Sequence, residues 1–337
     1  MLRDITVSFA PHISKPLSTR RVMIDVVIGL APAMVAAGLY FRVHALLLLG
    51  VCVAWCMATE WVCNVIRKQP NSLGDFSAVV TGLILALSLP PNLPLWAAAI
   101  GASVSIVVGK MVFGGLGANT FNPAMVGRAF LTVSFGVLMT TWAVPATMDA
   151  NMPTVSPANT ADTRTQATPL AWSKTAIKAK AEAETYASQQ FLSTVTGEVG
   201  GCLGETGAVF ILIGGLYLLW RRTISIHIPL AVMGSAFVFA AIAYLIDSST
   251  YVQPLYHVTS GALLLGAFFI ATDPVTAPLT RRGMWLFGIG VGAITMLIRI
   301  VGAYPEGMMF AVLLMNAVTP LIDRLCKRIP AGGKPNA

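Results

Sequence analysis

The chain has 337 residues, 56% of them hydrophobic and 11% charged, with a formal net charge of +8 and a mean hydropathy of +0.75. A soluble domain carries about 25% charged residues, so the composition excludes that class and places the chain in a lipid bilayer. Its basic residues form short pairs between apolar runs rather than a groove-lining cluster, which argues against nucleic acid as a partner and suits residues that orient a membrane protein.

Taken in order, a polar leader (1–21) precedes an apolar run at 22–41, with Asp25 near its start and Pro32 inside. That run is too long for the core of a signal peptide. A second run, 45–66, closes on Arg67-Lys68 and contains Cys52, Cys56 and Cys63 on roughly one helical face. With Cys202 and Cys326 these make five cysteines, none in a C-x2-C pair, so the sequence indicates neither zinc nor an iron–sulfur cluster. A short run, 76–90, ends at Pro90-Pro91. A fourth, 94–113, ends in Gly114-Gly-Leu-Gly117, and a fifth, 122–142, opens on Asn122-Pro123. Beyond a long polar stretch, the runs 206–220, 227–246, 257–271, 284–303 and 307–323 complete the series.

A membrane-crossing helix needs about 20 apolar residues, fewer where it is broken or re-entrant. The expected fold is therefore an all-α polytopic membrane protein with about ten transmembrane helices. The two halves share a pattern: two full runs, a short helix ending in a proline turn, a full run, and a glycine or proline turn opening the last helix. Five spans is an odd number, so the second repeat is expected to sit inverted relative to the first. Short broken helices at the interface of inverted repeats mark ligand sites near the bilayer midplane. The expected organisation is a cytoplasmic leader (1–21), a first transmembrane repeat (22–142), an external loop (143–205), a second transmembrane repeat (206–323) and a cytoplasmic tail (324–337).

Orientation follows from Lys and Arg. With the N-terminus in the cytoplasm, cytoplasmic segments hold Arg3, Lys15, Arg20, Arg21, Arg67, Lys68, Lys110, Arg221, Arg222, Arg281, Arg282, Arg324, Lys327, Arg328 and Lys334. The short outer turns hold only Arg42 and Arg299. Both termini are thus expected in the cytoplasm, and 143–205 outside the cytoplasmic membrane. That external stretch is rich in Thr, Ser, Ala, Asn and Pro to about residue 169, then reads as a polar helix over about 170–191. Its length, among otherwise tight turns, suggests a function.

Five strings in order carry a resemblance. They are Gly114-Gly-Leu-Gly-Ala-Asn-Thr-Phe-Asn-Pro-Ala-Met125, Thr165-Gln-Ala-Thr-Pro-Leu170, Gly204-Glu-Thr206, Ser260-Gly-Ala262 with Gly266-Ala-Phe-Phe-Ile-Ala-Thr-Asp-Pro-Val-Thr276, and Tyr304-Pro-Glu-Gly307. Over essentially its whole length the chain resembles the RnfD subunit of the Rnf electron-transport complex. More distantly it is similar to the NqrB subunit of the sodium-pumping NADH:quinone oxidoreductase, which usually has a longer N-terminal extension.

The resemblance implies covalent FMN, attached through its phosphate to a threonine by a flavin transferase. Asp162, Thr165, Ala167 and Thr168 fill the attachment motif, with Thr168 as acceptor and Gln166 where the motif usually has Gly. Ser260-Gly-Ala-Leu263 offers a similar string without a hydroxyl at the acceptor position. The resemblance also implies a second, non-covalent flavin, riboflavin. For it, Asn119, Asn122 and Asp273 are the candidates, because Asn amides both donate and accept and an Asp at membrane depth is usually functional. Two of them also have a plainer use: Asn122-Pro123 as a helix cap, Asp273 in satisfying its own turn.

Asp25, Glu60, Arg128 and Arg299 are further ionisable groups in or near apolar runs, explained by ion movement, by snorkelling or by internal pairing. No catalytic group and no metal ligands are expected. The chain would act as an electron-transfer component of an ion-translocating complex, without turnover alone, moving electrons between ferredoxin and NAD pools coupled to Na+ or H+ movement. Its implied partners are an external FMN-bearing subunit, membrane subunits of the same complex, the flavin transferase and the lipid bilayer. The alternatives are the quinone-oxidoreductase component and a small-solute transporter or channel on the same inverted-repeat scaffold.

Overall fold

In a computed structural model, the structure describes residues 18–143, 170, 171, 174, 175, 200–205, 207–248, 250–302, 304 and 306–327. Asp162, Thr165, Ala167 and Thr168 lie outside the described residues, as does most of the expected polar helix.

Helix α1, Thr19–Ile66, is two helices merged across a break at Arg42, whose φ of 55° and ψ of −141° are not helical. The break falls between the first two apolar runs, and Ser18 caps the start by accepting from Arg21 N at 3.3 Å. A 3-10 turn, Leu73–Asp75, leads into α2, Ser77–Leu87, which stops before the proline pair. Helix α3, Leu95–Ile106, runs on into a π-helical turn, Val107–Met111. Asn122 caps α4, Pro123–Ser134, with proline at its first position, where the missing N–H costs nothing. At Phe135 the fifth expected run breaks, and α5, Gly136–Thr140, follows.

The second half begins with α6, Ala208–Trp220, and α7, His227–Ile246. The expected run 257–271 is divided three ways: α8, Pro254–Thr259, then α9, Leu263–Leu265, then a π-helical turn, Gly266–Ile270. Helices α10, Arg281–Ile300, and α11, Met308–Leu325, close the fold. The described elements are helical, and four helices are long and apolar enough to cross a membrane: α1, α7, α10 and α11. The outward surface agrees, since Leu245 is 84% exposed and Val137 80%. Apolar surface on that scale requires lipid or a partner to cover it.

Close backbone approach joins the halves. A Cβ on Gly214 of α6 would strike the carbonyl of Gly29 in α1, so only glycine allows these helices to meet. Asp25 of α1 reaches the other half as well. It accepts from Arg221 Nη2 at 3.2 Å, from Thr223 Oγ1 at 3.2 Å and from Tyr217 at 3.4 Å. The loop 200–205 threads in beside the end of α2, where Leu203 N donates to Leu89 O at 3.0 Å and Gly204 N to Leu87 O at 2.6 Å. The second bond satisfies a carbonyl that α2 leaves open at its end, and the first a carbonyl of the turn beyond it.

Candidate functional site

Where α1, α2 and α4 begin, their first turns enclose a cavity of about 710 Å3, counted to its open mouth. Its walls come from both halves: Met23 and Val26 of α1, Thr81 and Ile84 of α2, Lys110 of the π-helical turn, and Phe268, Phe269, Thr272 and Asp273. The cavity is thus bounded by the starts of α1, α2 and α4 and by the ends of α6 and of the π-helical turn Gly266–Ile270, with Leu116 of the glycine-rich connection on its wall.

Asn119, Asn122 and Asp273 all line this cavity. Asn122 is 4% exposed, and its amide is occupied at both ends. Oδ1 accepts from Met125 N at 3.3 Å as the α4 cap, and Nδ2 donates to the Ile270 carbonyl at 3.4 Å in the other half. Asp273 spends its oxygens on its own turn, accepting from Val275 N at 3.3 Å and Thr276 Oγ1 at 3.1 Å. Both plainer uses therefore hold, alongside the shared cavity. Asn119 differs. Its Nδ2 donates to Phe121 O at 3.2 Å, while its buried Oδ1 has no hydrogen-bond partner. A buried acceptor without a partner costs free energy, so this atom is suited to a donor brought by a ligand.

Lys110 is the residue that sequence reasoning misses, because its charge places it among the solvent-facing orientation residues. It is 1% exposed. Its ammonium donates to Glu60 at 2.7 and 2.8 Å and to Ser77 Oγ at 2.6 Å. Ser72 donates a further short hydrogen bond, 2.5 Å, to Glu60, and Ser77 donates to Asp75 at 2.5 Å. All three ammonium donors are used, the condition for burying a charge pair. The cavity thus joins aromatic and aliphatic walls, amide groups and one compensated cation. That combination suits a flat heteroaromatic ligand with a polar edge. Among the described residues no cluster of His, Cys, Asp or Glu could hold a metal ion.

A second polar cluster sits at the far end of α10, whose 20 residues span about 30 Å. There Arg299 donates to the carbonyls of His257 at 2.5 Å and Ser260 at 3.0 Å, and pairs with Glu306 at 3.0 Å. Glu306 also accepts from Gly307 N at 3.0 Å and Met308 N at 3.1 Å at the start of α11, and from Ala262 N at 3.2 Å. Although burial favours its protonated form, Arg299 and Arg128 outweigh it and hold this carboxyl below the ordinary glutamate range. Glu205 moves the other way: burial, then the Glu306 carboxylate, push it up against the pull of Arg128, 3.7 Å away. The four ionisable residues noted in the apolar runs, Asp25, Glu60, Arg128 and Arg299, are thus all internally paired. Their partners Glu205 and Glu306 were legible only as parts of the strings around Gly204 and Tyr304.

Comparison with known proteins shows the family. A model of the NQR2, RnfD, RnfE family matches residues 6–332. The D subunit of a Na(+)-translocating ferredoxin:NAD(+) oxidoreductase complex from Acetobacterium woodii is 41% identical over 327 residues, covering 96% of this chain and 94% of that protein. The D subunit of a proton-translocating ferredoxin:NAD(+) oxidoreductase complex from Clostridium ljungdahlii is 37% identical over 332 residues, covering 97% and 96%. The D subunit of an ion-translocating oxidoreductase complex from Stutzerimonas stutzeri is 41% identical over 323 residues, covering 92% and 91%. With the match running almost end to end, the chain belongs to the NQR2, RnfD, RnfE family.

Proposed function

We propose that this chain is the RnfD subunit of an Rnf-type ion-translocating ferredoxin:NAD oxidoreductase, a membrane-embedded electron carrier. The observation that carries this is the near end-to-end match to proteins of that name at 37–41% identity. Two of those names specify different ions, so the proposal is for coupled ion movement in general. In this reading the chain crosses a bacterial inner membrane about ten times as two inverted five-helix repeats, with both termini inside and residues 143–205 outside. The excess of Lys and Arg on one side supports that orientation.

The proposal includes two flavins. FMN is attached to Thr168 within the motif Asp162, Thr165, Ala167 and Thr168, which the sequence supports. Riboflavin occupies the cavity between the halves, which the unpartnered Oδ1 of Asn119 and the aromatic wall of Phe268 and Phe269 support. A flavin supplies one- and two-electron chemistry that no side chain here provides.

The protein's own residues hold and orient. Asn119 offers an acceptor, and Asn122 fixes the cavity wall across the two halves. The ion pair of Lys110 and Glu60 keeps a compensated charge beside the cavity. The cavity and the Arg299 cluster share no residue, and carriers in neighbouring subunits complete the electron path. Partners of this kind are an external flavin-bearing subunit and further membrane subunits, with a flavin transferase acting in maturation.

Co-expression with a flavin transferase, followed by denaturing electrophoresis, tests the covalent site. Fluorescence in the wild-type band that disappears in Thr168→Val is the expected result. A wild-type band without fluorescence contradicts it.

A further inference from the structure

We propose that Leu170 and Lys174 are positioning residues: together they anchor the segment that follows Thr168 onto the Arg299–Glu306 cluster, fixing where the flavin-bearing arm leaves the protein. The inference rests on the flavin reading of Thr168, but the anchor itself is argued from contacts alone.

Leu170, Ala171, Lys174 and Thr175 are helical, and Thr175 Oγ1 donates to Ala171 O at 2.9 Å. At the helical spacing of Leu170 and Lys174 both side chains leave the same face. Lys174 is 7% exposed, unusual for a lysine in a polar stretch. Its ammonium donates to Ile298 O at 3.0 Å and Tyr304 O at 2.5 Å. Ile298 belongs to the last turn of α10, where carbonyls lack helical partners and the helix end favours a cation. Burying and ordering a lysine costs about 2 kcal/mol of side-chain entropy, so its burial here calls for a compensating role.

Leu170 supplies the second contact. It is 5% exposed and fills a notch over Gly261, where a Cβ would come within 2.6 Å of Leu170 Cδ1 and 2.9 Å of Arg299 Nη2. Gly261 has a φ of 70°, a conformation open to glycine, so the notch is both shallow enough and shaped for the leucine. The notch cannot drift, because Ser260 O is held by Arg299 and Ala262 N by Glu306. Ser260-Gly-Ala-Leu263, which looks in sequence like an imperfect attachment motif, serves here as the seat for the leucine.

Thr168 is two residues from Leu170, so chain length alone keeps their Cα atoms within about 7 Å. A cofactor on Thr168 is thereby tethered by a two-residue link to the anchored residues. Its position relative to the second half is set by Leu170 and Lys174.

Two measurements separate the anchor from the flavin. In the flavin-free Thr168→Val chain, hydrogen exchange of the peptide covering 170–175 is compared with and without Lys174→Met. About tenfold faster exchange is expected on losing two buried hydrogen bonds, with Lys174→Arg retaining protection. In the flavinylated whole complex, the fluorescence anisotropy of FMN is expected to fall in Lys174→Met and in Leu170→Ser, with FMN content unchanged. Unchanged exchange overturns the anchor whatever the flavin content. Unchanged anisotropy with full FMN overturns its positioning role, and so does global unfolding of both variants. A wild-type chain without FMN but with the exchange difference intact overturns the flavin reading and leaves the anchor standing.

Discussion

Asn122 and Ile270, 148 positions apart, are joined by a hydrogen bond from the Asn122 amide to the Ile270 carbonyl at 3.4 Å. The same side chain caps α4 through its Oδ1. One residue thus sets both the start of a helix in the first half and the wall of the cavity in the second. Asn122→Ala is expected to cost about 1 kcal/mol for the cap and about 1 kcal/mol for the tie. Asn119→Ala removes an unpartnered acceptor and one local hydrogen bond, to Phe121 O. It is expected to leave the thermal midpoint of the purified chain near wild type while lowering the amount of non-covalent flavin that copurifies. Equal loss of flavin-free stability in both variants would contradict the division of roles.

The Lys110–Glu60 pair makes a prediction of its own. With both side chains at or below 2% exposure, Lys110→Met strands a carboxylate in the interior, at a cost of about 3–5 kcal/mol. The double variant Lys110→Met with Glu60→Gln is expected to recover to within about 1 kcal/mol of wild type, because neither charge remains. Thermal unfolding of the four chains in detergent closes the cycle. A double variant no more stable than the single one would show that the charges themselves are required for folding.

Glu205 and Glu306 respond to pH in opposite senses. Burial and the Glu306 carboxylate raise Glu205, so the folded chain holds that proton more tightly than the unfolded chain. The resulting stability is present below the usual glutamate value of 4.5 and is lost as pH rises through the raised value. Glu306 is depressed, so its contribution is present above 4.5 and lost as pH falls through its lowered value. Glu205→Gln is therefore expected to hold its stability as pH rises above the usual glutamate value, where wild type declines. Glu306→Gln, which leaves the Arg299 guanidinium without its carboxylate, is expected to cost about 3–5 kcal/mol above pH 4.5. Unfolding midpoints across that range decide the matter, and identical profiles for the two variants would reject it.

Gly214→Val tests the contact between the halves. Its Cβ would lie 2.9 Å from the Gly29 carbonyl carbon and closer still to the oxygen. Neither backbone can yield without separating α1 from α6, so a loss of about 3 kcal/mol is expected. Gly50, where an added Cβ meets nothing within 4 Å, is the control: Gly50→Ala should be neutral or slightly stabilising.

Much of this was legible in the sequence because the signals were local. The proline pair at 90–91 marked the end of α2, the Asn122-Pro123 step marked a helix start, and the string around Asp273 marked a broken helix. Each depends on residues within a few positions, where cap and turn chemistry operate. The convergence of Asn119, Asn122 and Asp273 on one cavity followed from the resemblance, not from spacing. What stayed hidden was pairing across the chain. The charge of Lys110 reads as that of a solvent-facing orientation residue, yet Glu60, 50 positions earlier, draws it inside. Lys174 belongs to a stretch that reads as a polar helix. Nothing in its neighbours announces that the end of α10, more than a hundred positions later, needs a donor.

The central claim is that Thr168 carries a flavin, and the mass of the intact chain purified from cells with a flavin transferase tests it most directly. The expected result is an increment equal to one FMN, confined on digestion to the peptide containing Thr168 and absent from Thr168→Val. A chain at its unmodified mass, or an increment that survives Thr168→Val, would contradict it.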